Sequence, residues 1–349
     1  MKDMKYFKYR MNVIKDEEGH YRDIQTLLND SLYASAFRDL NDPFEAIYDD
    51  MISKTVDLLH TVTGINTEEV VKSWERLQGF YEKVGIYSLV HSSSMPEDEL
   101  MWSFYADSHR GFCIEYDVEK LVMSEKLRQD VDIVPVTYSK RPPRITVHDI
   151  NSHCKMVEKM FGTKSLNWKK EQEVRLIYNV SGIKNYYPQA LKSVFFGCRM
   201  PTDLQELVIE GLKGKDVDFY RMERTPGSYT LRSVYLCSNT RGIPELFSAG
   251  DYELLSYSKN NVVENFHVWY KRKDNSKEKL LSFVQWYREK YAIKDKSNVF
   301  LYDSPDIKSI INKYPLSGRE EELMARHNIA ESVFGLPGEI WLYPLRKSK

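Results

Sequence analysis

The clearest pattern of hydrophobic and polar positions in the chain lies between residues 100 and 116. Its first half has helical spacing and its second half alternates as a strand does, with Gly111 between them. In a helix, the side chains of Trp102, Tyr105 and His109 lie along one face. The pattern predicts a helix that passes directly into a strand, with His109 at an element end, where binding groups are common. An aromatic core helix followed by a core strand would have the same composition.

Before residue 237, helical and alternating segments follow one another without a regular order. Helical spacing of apolar residues predicts helices over residues 23–29, 46–60, 68–82, 147–161 and 202–212. Alternation predicts strands over residues 85–90, 133–138, 173–180, 193–196, 217–222 and 229–236. This mixture predicts an α+β fold with a mostly antiparallel sheet, and not a regular series of βαβ units.

A change in composition marks the last third of the chain. Residues 237–261 contain scattered glycines and a proline and show only patchy periodicity, so we predict a linker there. Residues 262–349 then follow as strand, helix, strand, helix and a final short strand, which predicts a small α/β unit. The chain is therefore expected to consist of a large domain over residues 1–236 and an accessory C-terminal α/β domain.

Composition and charge limit the classes of function. The 349 residues carry 50 Lys and Arg against 51 Asp and Glu, and the net charge of −1 gives no general attraction for nucleic acid or an anionic membrane. The four cysteines are widely spaced, without the pairs typical of zinc sites or disulfide scaffolds. No run of about 18 apolar residues and no signal-peptide core occurs. We therefore expect a cytoplasmic protein that binds no metal.

The best candidates for chemistry are the carboxylates of Glu171 and Glu173. On an extended backbone these two side chains and Arg175 point to one face, with the carboxylates about 7 Å apart, so they can act on one ligand. A solvated edge strand, in which Arg175 pairs with both glutamates, would explain the same pattern. Because Lys164 and Trp168 precede this segment closely, we prefer the functional interpretation.

Five segments of the chain resemble, in order, a bacterial family known as domain of unknown function 2971 (DUF2971). They are Tyr6–Arg10, Leu32–Glu45, Met101–Tyr116, Lys164–Arg175 and Val194–Gly197. The resemblance extends over about the first 236 residues and leaves the activity open. It implies that the site residues lie in the matching segments, in a cleft lined by Tyr9, Arg10, Asn41, Trp102, Tyr105, His109, Glu171, Glu173 and Arg175.

The Glu-x-Glu segment is similar to the carboxylate motif of one group of ADP-ribosyltransferases, which act on nicotinamide adenine dinucleotide (NAD). Those enzymes combine the motif with an Arg on an early strand and a Ser on another, and Arg10, Ser88, Glu171 and Glu173 follow that order here. The Ser-Thr-Ser context is absent around Ser88. The resemblance implies that Glu173 stabilises an oxocarbenium-like state, Glu171 orients an acceptor and Arg10 binds phosphate. Aromatic residues of the 100–116 segment would stack on a base.

Two other hypotheses remain open. In the first, the cleft belongs to a non-catalytic module that binds a nucleotide-like or peptide ligand, and the C-terminal domain docks a macromolecular partner. The second is a metal-dependent nuclease, since Glu115, Asp117 and Glu119 alternate before Lys120, although the usual Glu-x-Lys tripeptide is absent. The motifs GxxxxGK[ST], GxGxxG and GxSxG do not occur. The family context suggests a bacterial toxin or defence effector.

Overall fold

The protein is built around two β-sheets of different size. This computed structural model describes residues 4–12, 21–63, 66–123, 131–150, 152–239, 246–260, 262–292, 296–333 and 341–342. The strands are β1 (Lys5–Arg10), β2 (Ser31–Ala36), β3 (Asp49–Asp50), β4 (Gly85–Ser92), β5 (Phe112–Tyr116), β6 (Val131–Pro135), β7 (Thr137–Ser139), β8 (Arg144–Ile145), β9 (Thr163–Ser165), β10 (Glu173–Tyr178), β11 (Gly182–Asn185), β12 (Leu191–Phe196), β13 (Val217–Arg224), β14 (Leu231–Asn239), β15 (Tyr252–Lys259), β16 (Glu264–Tyr270), β17 (Ser297–Tyr302), β18 (Asn328–Ser332) and β19 (Trp341–Leu342). The α-helices are α1 (Arg22–Leu28), α2 (Met51–Thr63), α3 (Glu68–Tyr81), α4 (Glu99–Tyr105), α5 (Val118–Leu121), α6 (His153–Phe161), α7 (Thr202–Gly211), α8 (Lys277–Tyr291) and α9 (Gly318–His327).

The large sheet contains ten of these strands. Its main path runs β11–β2–β4–β1–β5–β12–β13–β14, and β10 and β6 continue from β4 as a side branch. The pairings in it are antiparallel except that of β12 with β13. Helices are interspersed with these strands without a βαβ repeat, which confirms the α+β class. None of the helices described is long and apolar enough to cross a lipid bilayer.

Two predicted helices begin later than their apolar spacing indicates. The helix predicted from residue 46 begins at Met51, because Asp49–Asp50 pair with Arg144–Ile145 in a small two-stranded sheet. The helix predicted from residue 147 begins at His153, where the side chain of Ser152 accepts a hydrogen bond from a backbone N–H of the first turn. In both cases local pairing or capping, and not hydrophobic spacing, sets the start of the helix.

Alternation along β1 shows that both faces of the large sheet are covered. Phe7 and Tyr9 pack with Trp102 of α4 on one face. Tyr6 points the other way and contacts the largest hydrophobic cluster, which includes Ile24 of α1 and Leu204 of α7. Because successive side chains of a strand point to opposite faces, a strand in the middle of this sheet contributes to two cores at once.

The C-terminal residues form a second sheet in the order β15–β16–β17–β18–β19. The strands β16 and β17 are parallel and are connected by α8, whereas the other pairs are antiparallel. The sheet has an aromatic core of its own with α8, which Tyr187 from the first part of the chain joins. The strand β15 falls inside the stretch predicted as a linker, and residues 240–245 of that stretch lie outside the described residues. The division into two domains remains a prediction.

A buried ion cluster links the two sheets. Asp30, which is 1% exposed, receives the ammonium groups of Lys215 at 2.7 Å and of Lys259, in β15, at 3.2 Å. Both lysine side chains are themselves about nine-tenths buried. Asp30 has a left-handed backbone with φ of 48°, which Asp and Asn tolerate better than most residues. The C-terminal part is therefore connected to the first sheet by this buried charge contact as well as by Tyr187.

We predict that Asp30→Asn destabilises the protein by about 3 kcal/mol, because two buried ammonium groups lose their carboxylate while the backbone conformation is kept. Asp57→Asn, at an exposed position of α2, should change stability by less than about 0.5 kcal/mol. Urea unfolding followed by circular dichroism measures both. Equal midpoints for the two variants would show that the ion cluster contributes nothing to the stability of the fold.

Candidate functional site

A cleft lies where two central strands stop pairing. The strands β1 and β4 pair only through Lys5–Phe7 and Val90–Ser92, after which β1 continues along β5 and β4 along β10. A cavity of about 380 Å³ borders both strands at this point and is lined by Lys8 and Tyr9 on one side and Ser88 on the other. The ammonium of Lys8 donates to the carbonyl oxygen of Ser88 at 2.8 Å. The Lys8 side chain thus donates to a backbone carbonyl of β4 at a position where β1 and β4 form no backbone hydrogen bonds with each other.

The remaining wall of the cleft is polar and aromatic. Its residues come from the turns after β2, from α4 and from the segment around β9 and β10, and they include Asn41, Glu45, Phe104, Tyr105, Lys164, Glu171 and Glu173. Sequence positions that are far apart therefore meet at one opening of the sheet.

Arg175 organises the charges behind this wall. Its guanidinium, which is fully buried, forms a bidentate pair with Glu45, with both N–O distances at 2.7 Å. Its Nε donates to Glu173 Oε1 at 2.8 Å, and Nη1 also donates to the carbonyl oxygen of Phe161. Because these bonds occupy the guanidinium inside the protein, Arg175 holds two carboxylates in place and does not face the cleft.

Lys164 joins the third carboxylate to this network. Its Nζ lies 2.7 Å from Glu171 Oε2, 3.3 Å from Glu173 Oε2 and 3.7 Å from Glu45 Oε1. It also lies 4.8 Å above the ring of Trp168. Three carboxylates and two cations leave a formal net charge of −1. The cluster is thus nearly balanced but retains an excess of negative charge beside the cleft.

The backbone brings Glu171 to this cluster from outside the strand. Glu171 ends a 3-10 helix, and Gln172 has a left-handed backbone with φ of 45°, so β10 begins only at Glu173. The prediction of one extended face for Glu171, Glu173 and Arg175 therefore holds only for the last two, because the turn at Gln172 interrupts the alternation. Since β10 lies between β4 and β6 and is buried throughout, it is not a solvated edge strand.

A chain of hydrogen bonds leads from the buried cluster to the cleft. The hydroxyl of Tyr105 donates to Glu171 Oε1, and Asn41 Nδ2 donates to the Tyr105 oxygen at 3.3 Å. Burial and the hydrogen bond to Glu171 raise the pKa of Tyr105 far above its ordinary value. Tyr105 therefore remains a protonated donor at physiological pH, and Glu171 is the carboxylate at the cleft end of the network.

The network keeps Glu173 ionised. Burial alone would raise the pKa of Glu173, but the charges of Arg175 and Lys164 and a hydrogen bond from Ser88 outweigh it and lower the pKa to about 2. Burial acts against the charged form of Lys164 too, yet Glu173 and Glu171 raise its pKa above the ordinary value. Glu173 and Lys164 are thus both held in their charged forms at neutral pH.

Some predicted site residues lie elsewhere. Trp102 is fully buried, packs edge-to-face on Tyr9 and donates its Nε1 hydrogen to the carbonyl oxygen of Pro96, so it belongs to the core. Arg10 lies against the ring of Tyr87 and is not part of the lining of the cleft. The structure does bring Tyr9, Asn41, Ser88, Tyr105, Glu171 and Glu173 together at the cleft.

His109 lies in a strained turn that follows α4. Residues 107–109 all have left-handed backbones, with φ of 46°, 50° and 71°, a run that is rare outside glycine. A Cβ atom on Gly111 would lie 2.0 Å from the carbonyl oxygen of Arg10, and one on Gly197 would lie 2.2 Å from that of His109. The turn is thus packed backbone to backbone, and it fixes α4 against β1.

The residues of the nuclease hypothesis have other partners. Glu115 forms an ion pair with Lys5 at 3.0 Å, and the side chain of Asp117 caps α5. Glu119 is exposed. In the part of the chain that the structure describes, no group of three or more His, Cys, Asp and Glu side chains is arranged to hold a metal ion. The geometry therefore gives this hypothesis no support.

Comparison with known proteins agrees with the resemblance inferred from the sequence. The model of the family described as a protein of unknown function (DUF2971) matches residues 101–176. This span begins in α4 and ends in β10, so it includes Tyr105, Lys164, Glu171 and Glu173, the cleft end of the charge network. No curated protein and no solved structure matches the chain.

We predict that Glu173→Gln lowers the free energy of unfolding by about 3 kcal/mol at pH 7, because a pKa lowered from 4.5 to about 2 stabilises the fold by that amount. This contribution is complete above pH 4.5 and is lost as the pH falls toward 2. The difference from wild type should therefore shrink to roughly half at pH 3.

Urea unfolding at pH 7, 5 and 3 tests this dependence, with Glu75→Gln on the exposed face of α3 as a matched control. A difference between wild type and Glu173→Gln that stays constant with pH would mean that Glu173 is not held ionised by Arg175 and Lys164.

Proposed function

We propose that the cleft is the active site of an enzyme that breaks the N-glycosidic bond of NAD and transfers ADP-ribose to an acceptor. The observation that carries the proposal is the group of carboxylates at the cleft, with net negative charge and with Glu173 kept ionised. As the bond breaks, the positive charge moves from the nicotinamide ring to the ribose in an oxocarbenium-like state, and fixed negative charge beside the ribose stabilises that state more than the ground state.

The geometry favours Glu171 as the carboxylate that touches the ligand. Both carboxylates line the cleft, but Glu173 accepts its hydrogen bonds from the buried Arg175 and from Lys164, whereas Glu171 accepts one from Lys164 and one from Tyr105, a residue of the cleft wall. This reverses the roles expected from the sequence motif. Glu173 becomes a positioning residue that holds Lys164, and Glu171 becomes the catalytic carboxylate.

In the proposed reaction the bond from the ribose C1 to the nicotinamide nitrogen breaks, and nicotinamide leaves as a neutral base with the bonding electron pair. The acceptor nucleophile then bonds to C1, and its proton passes to Glu171. Tyr105 orients Glu171 through its hydroxyl hydrogen bond. The acceptor is a macromolecule whose identity the proposal leaves open.

Phe104 supports the recognition of a flat base. It lines the cleft, and 61% of its surface is exposed, so its ring is open to a ligand in the cleft. Because Trp102 is part of the core, the stacking expected of the 100–116 segment falls to Phe104 and Tyr105. A nicotinamide or adenine ring would cover the exposed face of Phe104.

An alternative is a binding module that leaves its ligand intact. It is favoured by the fact that the oxygens of Glu171 and Glu173 are already hydrogen-bonded within the protein, as in a structural polar network. In that case the C-terminal part would dock a partner. A role as a toxin or defence effector in the bacterial cytoplasm belongs to the enzyme proposal and follows from the family context.

We predict that wild-type protein releases nicotinamide from NAD in the presence of cell lysate, and that Glu171→Gln lowers the rate at least about 100-fold. Tyr105→Phe should lower it about 10-fold, since Glu171 loses its orienting donor. Nicotinamide is followed by mass spectrometry, and thermal unfolding confirms that each variant is folded. Glu75→Gln serves as the control with unchanged charge at the site.

An unchanged rate in Glu171→Gln would remove Glu171 from the mechanism. If the wild type raises its unfolding temperature with NAD but returns the NAD intact, the binding module replaces the enzyme.

A further inference from the structure

A second cavity lies where the first part of the chain meets the C-terminal part. This junction cavity has a volume of about 200 Å³ and is bordered by the start of β12, by the turn that leads from α7 to β13 and by the end of α8. Its charged lining residues are Lys192, Lys215, Asp216 and Lys290, so three ammonium groups and one carboxylate give the lining a formal net charge of +2. Among the residues that the structure describes, none lines both this cavity and the cleft.

Lys215 belongs to a pair of lysines that share one carboxylate. Its ammonium lies 2.7 Å from Asp30 Oδ1, and the ammonium of Lys259 lies 3.2 Å from the other oxygen of the same carboxylate. These three groups sum to a formal charge of +1. Because both lysine side chains are about nine-tenths buried, water screens this charge only weakly.

Lys192 belongs to a second pair of this kind. The ammonium groups of Lys120, in α5, and of Lys192 lie 3.6 Å and 4.0 Å from the same oxygen of Asp117. Both distances are longer than a hydrogen bond, so Asp117 compensates the two cations incompletely. Burial lowers the pKa of Lys120, and the nearby charge of Lys192 lowers it further. Two lysines of the junction cavity are thus each coupled to a second lysine.

The end of α8 supplies the cation on the C-terminal side of the cavity. The ammonium of Lys290 lies 5.2 Å from the centroid of the Trp286 ring and 5.6 Å from that of Tyr291. An aromatic face attracts a cation without removing its charge. Because Lys192 lies at the start of β12 and Lys290 lies in α8, a ligand that contacts both connects the two parts of the chain.

We propose that the junction cavity binds a small inorganic polyanion, phosphate or pyrophosphate, between Lys192 and Lys290. Ammonium groups bind phosphate oxygens through charge-assisted hydrogen bonds, and the anion offsets the excess positive charge of the two lysine pairs. The volume of about 200 Å³ decides the size of the ligand. Sites for larger organic ligands measure about 300–1,000 Å³, so this cavity fits a compact anion better than a nucleotide.

The test uses the full chain with pyrophosphate as the probe, at constant pH and ionic strength. Isothermal titration calorimetry measures the affinity, and thermal unfolding without the anion confirms that each variant is folded. Lys192→Gln and Lys290→Gln should each weaken binding at least about tenfold, since each removes a charged hydrogen-bond donor. The double variant should lose binding at least about 100-fold.

Lys213→Gln is the matched control. Lys213 lies just after α7, its side chain is 74% exposed, and it removes the same charge from the same region without lining the cavity. Its affinity for pyrophosphate should equal that of wild type. Equal affinity in wild type and in the double variant of Lys192 and Lys290 would overturn the proposal, and so would equal weakening in Lys213→Gln, which would indicate a general effect of net charge.

Hydrogen exchange locates the bound anion. Pyrophosphate should slow exchange in residues 189–192, 214–216 and 286–291 and leave β1 and α4 unchanged. Lys8→Met, in the cleft, should keep the affinity of wild type. Loss of affinity in Lys8→Met together with normal affinity in Lys192→Gln would place the anion in the cleft and refute the junction site. Neither result depends on the release of nicotinamide from NAD.

Discussion

The geometry of the whole site depends on the buried guanidinium of Arg175, which needs two carboxylates as partners. An unpaired Arg175 would be costly in the interior, so the chain must bring Glu45, 130 residues away, onto β10 beside Glu173. In doing so it draws the turn after β2 to the cleft, and Asn41 comes with it. Lys164 then completes the cluster by bridging to Glu171. The cleft end of the network is thus positioned by Arg175, which does not itself line the cleft.

The separation of β1 and β4 opens a cleft beside this network. A continuous sheet would leave no opening, since the ladder bonds would close the two strands together. Here pairing stops after Phe7, and each strand continues with a different neighbour. The opening is bordered by Lys8 of β1 and by the polar wall that carries Lys164, Glu171 and Glu173. The position of the cleft is therefore a result of sheet topology.

The sequence predicted the α+β class and several cleft residues, because both depend on local patterns. Alternation located the Glu171 and Glu173 pair, and helical spacing placed Tyr105. The same spacing put Trp102 on the ligand-facing side, which the structure contradicts, because Trp102 fills the core against Tyr9. Glu45 was missed as a network member, since a contact across 130 residues leaves no local signal.

Lys8 and Phe104 were missed for related reasons. A lysine on a strand suggests solvent exposure, and only the separation of β1 from β4 reveals that it spans an opening. Phe104 has the spacing of a core position in its helix, but it is exposed at the rim of the cleft. The break in alternation at Gln172 could not be predicted either, because a left-handed residue other than glycine has no distinctive sequence pattern.

The position of Tyr105 in the site depends on the turn that follows α4, whose glycines have no reactive side chain. Gly111 and Gly197 allow three backbone segments to touch, and any β-carbon there would push α4 away from β1. Tyr105 would then lose its reach to Glu171 although neither residue had changed. Variation at these two glycines is thus expected to be as restricted as at the carboxylates.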